Sequence, residues 1–282
     1  MNTLQVIVFS RDRVWQLSEY LRTFRKYVSA DIKPKVIWKA SNEAFKKAYE
    51  DLWTKGWCEP ISEADHKGSF KELVLRTIDP KVPYIQFGVD DLIWYRPVSI
   101  GPYEFDVLNH AFSYSFRLAP NITFCQPANN INKLPPLQPY QHRGYFYDRT
   151  QGYFDWDYPF EVTATLYKTF NVLQLVKHIE FNNPNELEAE GAKLFMGIGN
   201  TNAQINFASY QTCCSVITVN RCQNLFPNPL AGEEVTLEKM LDLYWASAQY
   251  DDEWYASQKF DRIHIGDFVL KSPKEEYKEG AD

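Results

Sequence analysis

Tyr84-Ile85-Gln86-Phe87-Gly88-Val89-Asp90-Asp91-Leu92-Ile93-Trp94 decides how the chain is read: an apolar run, two consecutive carboxylates where it ends, then apolar residues again. The run over 84–89 has the length and content of a strand covered on both faces of a sheet. Adjacent carboxylates at the mouth of such a strand repel each other unless a cation joins them. An all-oxygen set suits a hard or intermediate divalent ion, Mg²⁺ or Mn²⁺, which usually also takes ligands from a substrate phosphate. Asp90-Asp91 therefore points to a metal–diphosphate site. An isolated Asp-Asp can equally cap a turn or open a helix with both carboxylates in water, so the surrounding chain has to decide.

Upstream, the chain alternates. Residues 4–9 form a short, almost wholly apolar run that predicts a strand, ending in the charged loop Ser10-Arg11-Asp12-Arg13. Val14, Leu17, Leu21, Phe24 and Val28 then recur at helical spacing. A strand over 34–38 and a helix over 42–53 repeat the unit, and a helix over 69–77 carries Phe70, Leu73 and Val74 on its stripe, with Lys71 and Arg76 off it. Such alternation predicts an α/β fold with a mostly parallel sheet flanked by helices. It places Asp90-Asp91 at a strand's carboxyl end, and in open α/β sheets ligands bind there, which also puts the 10–13 loop where a ligand would sit. The plainer role for that loop is helix capping by Asp12 beside solvated arginines.

Downstream the pattern loosens. A helical turn is predicted over 106–110, a strand over 111–118, and a short strand over 122–125. The Pro-, Asn- and Gln-rich segment 126–151 reads as a long surface loop, of the kind that often serves as a lid or binding loop. In Gly152-Tyr-Phe-Asp-Trp-Asp-Tyr-Pro-Phe160 two acids alternate with aromatics, and Pro159 reads as the first turn of a helix through Val162, Leu166 and Tyr167. A capped helix start follows over 182–188, a strand over 215–219 and a helix over 237–246; the charged residues after Ser272 read as a frayed end. No break in composition divides the 282 residues, so one domain is expected.

Composition narrows the possible partners. With a net charge of -6 and no basic stripe, the chain lacks the electrostatic footprint of a nucleic-acid binder. The aromatic fraction of 16% is high and suits stacking on sugar rings, although it suits a bulky core equally well. The cysteines are five, without CxxC spacing, so no zinc or disulfide framework is expected and a reducing, cytoplasmic setting fits. The opening residues run into a strand pattern without a basic n-region or small-residue cleavage site, and no apolar run reaches ~18 residues, so neither a leader nor a membrane span is expected.

The strand–loop–helix at the start, the βα repeats and the acidic signature Val89-Asp90-Asp91 together resemble a nucleotide-sugar-dependent glycosyltransferase of the GT-A fold, roughly over residues 3–180. The resemblance implies a single domain over 1–282, with a nucleotide-sugar-binding half over 1–125 and an irregular acceptor-side half over 126–282. It implies that Ser10, Arg11 and Asp12 approach the uracil or ribose, with Arg13 and Lys71 in the same donor-side set, and that Asp90 and Asp91 hold the ribose and a Mn²⁺ or Mg²⁺ ion. Leu92 stands where a strict D-x-D motif has its second acid, which leaves Asp91 as the direct ligand and weakens the metal dependence.

Inverting members carry their base in a second acidic segment, which here implies Asp157, with Asp155 second, to take the proton of the acceptor hydroxyl. Both could instead cap the helix expected at Pro159. Tyr153, Phe154, Trp156 and Tyr158 could stack on acceptor sugars or pack in the core. His264-Ile265-Gly266 with Lys271 resembles the late histidine pattern of certain retaining members and would add His264 to the metal shell, although a lone histidine in an apolar segment is more often structural. His66, His110, His142 and His178 show no paired spacing for zinc.

Similarity to the small sugar transferases of bacteria and large DNA viruses suggests a pentose donor such as UDP-xylose and a glycan acceptor. The alternatives are a retaining enzyme of the same fold, a sugar nucleotidyltransferase and a non-catalytic carbohydrate-binding protein. The second normally has a Gly-rich phosphate loop, which Phe9-Ser-Arg-Asp-Arg-Val14 lacks. Donor sugar, acceptor, linkage and oligomeric state are not written in the sequence.

Overall fold

The computed structural model describes residues 3–29, 32–197, 203–222 and 229–272; the charged end after Ser272 lies outside them. The chain runs β1 (Leu4–Arg11), α1 (Val14–Tyr27), β2 (Val28–Ser29), β3 (Lys35–Lys39), α2 (Glu43–Thr54), β4 (Glu59–Ser62), α3 (Phe70–Thr77), β5 (Tyr84–Val89), β6 (Leu92–Trp94), β7 (Val98–Ser99) and α4 (Pro102–Val107). It continues through β8 (Ser113–Ser115), β9 (Phe124–Cys125), β10 (Asn130–Ile131), β11 (Gln138–Tyr140), β12 (Gly144–Asp148), β13 (Thr165–Lys168), α5 (Thr169–His178), α6 (Pro184–Gly197), β14 (Ile205–Ser209), β15 (Cys214–Ile217), α7 (Leu237–Trp245), α8 (Asp252–Ser257) and β16 (His264–Ile265).

The central sheet has nine strands in the order β11-β12-β14-β8-β13-β5-β1-β3-β4. Its strands β5, β1, β3 and β4 are all parallel, as the βα repeats require. Beyond β5 the sheet turns mixed, because β13 enters antiparallel between β5 and β8. Alternate residues of β1 feed opposite faces: Val6 and Val8 pack with Leu17, Tyr20 and Leu21 of α1, whereas Ile7 and Phe9 pack with Leu73 and Val74 of α3. Helices thus cover both faces, which is why β1 reads as continuously apolar.

Local chemistry fixes the helix starts. Ser69 and Glu72 form a reciprocal capping box on α3. The Asn42 side chain accepts from Phe45 N at 3.1 Å at the start of α2, and Asn183 accepts from Glu186 N at 2.9 Å at the start of α6.

Three expectations are corrected. The segment 126–151 is not a bare loop: β12 lies within it and pairs with β14 in the central sheet. Gly144 makes that pairing possible, since a Cβ there would run into the Ala208 carbonyl. No helix starts at Pro159. Ala164 turns at φ 51 and its N–H reaches Phe87 O at 2.9 Å, leading into strand β13. Both faces of β13 are covered, so the alternation that marks a half-exposed strand is missing, and the chance spacing of Val162 and Leu166 resembles a helix. Finally, only Ser113–Ser115 of the strand expected over 111–118 pairs in the sheet.

A second, three-stranded sheet, β16-β15-β6, takes over where β5 ends. Asp90 N donates to Phe9 O at 3.2 Å, continuing the β1–β5 ladder, while Asp91 O accepts from Ile217 N at 2.8 Å on the small sheet. The acid pair therefore sits at the junction of the two sheets, each residue held by a different one.

Candidate active site

A cleft of about 380 Å³ opens over this junction. It brings together Ser10, Arg11, Arg13, Asp90, Asp91 and His264, all expected from the sequence. The carboxyl ends of β1 and β5 deliver the first five, and β16 delivers His264 in register with Val216.

Asp90 is 5% exposed. Its Oδ2 accepts from Arg11 N at 3.2 Å and its Oδ1 from Arg13 Nη1 at 3.2 Å. The same Nη1 lies 2.7 Å from Asp91 Oδ2, and Arg13 Nη2 donates to Asn220 O at 2.8 Å. Burial pushes the Asp90 carboxyl up to about 6; Arg13 opposes this and the Asp91 charge adds to it. For Arg13, burial alone would lower the pKa, but the neighbouring Cys222, Asp91 and Asp90 more than reverse it. Ser10 Oγ is tied to Tyr49 Oη at 2.6 Å, which fixes the loop against α2.

Other expected residues lie elsewhere. Asp12, at φ 58, turns away from the cleft lining and its Oδ1 accepts from Ser41 N at 2.7 Å, so it shapes the loop instead. Lys71 bridges α3 to Glu180 at 2.7 Å, outside the lining. Asp155 takes a hydrogen bond from Asn132 Nδ2 at 2.9 Å, and Asp157 pairs with Arg149 Nη1 at 2.8 Å. Neither acid lines the cleft. Trp156 is buried in the core, while Tyr153 and Phe154 are exposed.

The cleft also holds groups that the sequence did not single out. Glu188, near the start of α6, lines it and accepts from Val162 N at 2.8 Å. Burial raises its pKa above the usual glutamate range. Thr218 and Asn220 follow β15 and line the same cavity. The polar run Asn220-Arg221-Cys222 directly after an apolar strand was the signal available for them.

The fit to a divalent ion rests on the donor atoms present. The gap between the Asp90 and Asp91 carboxylates is spanned by the Arg13 guanidinium. His264 shares the cleft with its Nδ1 unpartnered, held neutral because burial, aided by the Arg117 charge, lowers its pKa to about 3. Among the described residues no group of three or more His, Cys, Asp or Glu is arranged to hold a metal ion. The three expected ligands share a cavity without forming a ligand set.

No protein-family model matches the chain. A curated relative, the bifunctional glycosyltransferase pgtA of Dictyostelium discoideum, is 26% identical over 310 aligned positions, which cover 95% of this chain. The chain spans only 39% of that relative's length. Among solved structures, S. aureus TarS 1-349 in complex with UDP superposes with a TM-score of 0.43 at 14% identity, covering 75% of this chain and 58% of that one. The 4-diphosphocytidyl-2C-methyl-D-erythritol synthase of Anaerococcus prevotii gives 0.41 at 9% identity, covering 75% and 89%. The mannosyltransferase PcManGT of Pyrobaculum calidifontis, in complex with GDP-Man and Mn²⁺, gives 0.28 at 14% identity, covering 44% and 41%. At these scores the structural likenesses carry no functional weight of their own. Among the described residues no helix is long and apolar enough to cross a membrane.

Proposed function

We propose that this chain is a glycosyltransferase that moves a sugar from a nucleotide-diphosphate donor, a UDP-sugar in the first instance, to a hydroxyl of a glycan acceptor. The observation that carries the reading is the meeting in one cleft of the β1 loop, with Ser10, Arg11 and Arg13, and the strand-end pair Asp90-Asp91. Similarity along most of the chain to a relative named as a glycosyltransferase supports it.

In this reading the nucleotide enters over the carboxyl ends of β1 and β5, where Arg11 and Arg13 face the diphosphate. The acceptor oxygen attacks the anomeric carbon as the bond to the diphosphate breaks, which inverts the centre. The acceptor proton passes to a carboxylate that lines the cleft apart from the Arg13-bonded pair. Glu188 meets that description and Asp157 does not. Its raised pKa brings it nearer the neutral range in which a general base works best. A divalent ion is given no step, since Arg13 spans the carboxylates expected to hold one.

The test is a panel of UDP- and GDP-sugars, UDP-xylose among them, followed by thermal shift and by mass spectrometry of oligosaccharide acceptors. A donor that both raises the melting temperature and yields a lengthened glycan is expected, since a ligand that binds the native state stabilises it by mass action. A panel in which no nucleotide sugar does either refutes the reading.

A further inference from the structure

Two carboxylates held side by side need a positive charge, and here a side chain of the same polypeptide provides it. Arg13 is nearly buried, with 12% of its side chain exposed, and its Nη1 reaches both Asp91 and Asp90. Its Nη2 is anchored on the Asn220 carbonyl. A hard divalent ion wants six or so oxygen ligands at short range, and would have to expel the guanidinium from three bonds to gain two of them. Of the guanidinium donors left over, Nε–H is shut off from solvent without a partner, and so is Oγ1 of Thr218, a second residue of the cleft lining. Buried donors without partners are costly, and a ligand that accepts from them removes the cost. A planar, permanently charged fork can bond carboxylate and phosphate at once.

We propose that Arg13 is the resident cation of the Asp90-Asp91 pair, bridging the carboxylates through Nη1 and offering Nε–H to a phosphate oxygen, so that the site takes a nucleoside diphosphate without a divalent ion. The nucleotide half of this rests on the function proposed above; the cation half does not.

Two measurements on the wild-type protein decide it. The first is uptake of Mn²⁺ in the absence of nucleotide, followed by the loss of the free-ion electron paramagnetic resonance signal. The second is calorimetric titration with UDP, once in EDTA and once in Mn²⁺. Expected are no Mn²⁺ uptake that Asp91→Asn abolishes, and UDP affinities that agree within about twofold in the two buffers. Arg13→Gln should lower UDP affinity by about tenfold or more in EDTA, and should let the freed carboxylates take up Mn²⁺. Wild-type Mn²⁺ uptake that is lost in Asp91→Asn, or UDP affinity that rises about tenfold or more with Mn²⁺, overturns the proposal. UDP that binds in neither buffer overturns the nucleotide-sugar reading and the diphosphate half with it, while the nucleotide-free uptake still decides whether Arg13 holds the pair.

Discussion

Asp90 brings a negative charge into a place where burial opposes it, and its replacement by asparagine separates what the fold wants from what the site needs. Its folded pKa of about 6 lies above the ordinary 3.8. A group raised in this way contributes stability that is full below the unfolded value and lost as the pH climbs through the folded one. The ionised wild-type residue therefore carries its whole cost above pH 6, about 3 kcal/mol at about 1.4 kcal/mol per pH unit. The asparagine of an Asp90→Asn variant does not ionise and keeps the bond from Arg11 N–H through its amide oxygen. Its amide NH2 then stands at the Oδ1 place and faces Arg13 Nη1, donor against donor, at a cost of about 1.5 kcal/mol, while Arg13 retains Asp91 at 2.7 Å. Asp90→Asn should then be about 1 to 2 kcal/mol more stable than wild type at pH 7.5 and no more stable at pH 4. Urea unfolding at the two pH values measures this, with UDP titration run alongside to register the loss of donor binding. A variant less stable than wild type at pH 7.5, or one whose advantage is the same at both pH values, refutes the argument.

Glu188→Gln should cut sugar transfer by about 10²- to 10⁴-fold while leaving UDP affinity unchanged. Asp157→Asn, whose carboxylate is bonded to Arg149 outside the cleft, should leave transfer intact; the reverse result in a product assay moves the base back to the second acidic segment. Gly88→Ala places a Cβ 2.6 Å from Tyr20 Oη, and overpacking of this kind should cost about 1 to 3 kcal/mol in urea unfolding, partly relieved by adding Tyr20→Phe. Asp252 is buried, yet its bonds from Lys26, Tyr27, Lys271 and Arg22 hold its pKa below the ordinary value. Its stabilising contribution is therefore present above the unfolded pKa and fades as the pH falls below it. Asp252→Asn should cost about 2 kcal/mol at pH 7, less than a fully buried pair because Lys26 and Lys271 can return to water, and the gap should close in acid.

What the sequence determined by itself is the parallel, N-terminal part of the central sheet. Residues 4–9 and 84–89 are short apolar runs, and each stops at charged residues. That pattern places Ser10 to Arg13 and Asp90-Asp91 along the same edge of the sheet without any knowledge of the rest, because parallel strands joined by helices must end on the same edge. The capped start over 182–188 likewise announced α6, since a helix start is satisfied by atoms three residues away, as Asn183 and Glu186 show.

The tertiary structure alone decided what meets at that edge. Strand β13 was invisible because Thr165–Lys168 is only four residues long and offers neither a continuous apolar run nor an alternation to read. Asp155 and Asp157 look like a second acidic site in one dimension, but the fold turns them onto Asn132 and Arg149. Glu188 and Asn220 arrive from α6 and from the residues after β15, and nothing local to them says which cleft they will line. The partner of the acid pair was legible as a need for positive charge. That Arg13, from the β1 loop, meets the need is a matter of through-space distance, which adjacency in sequence does not encode.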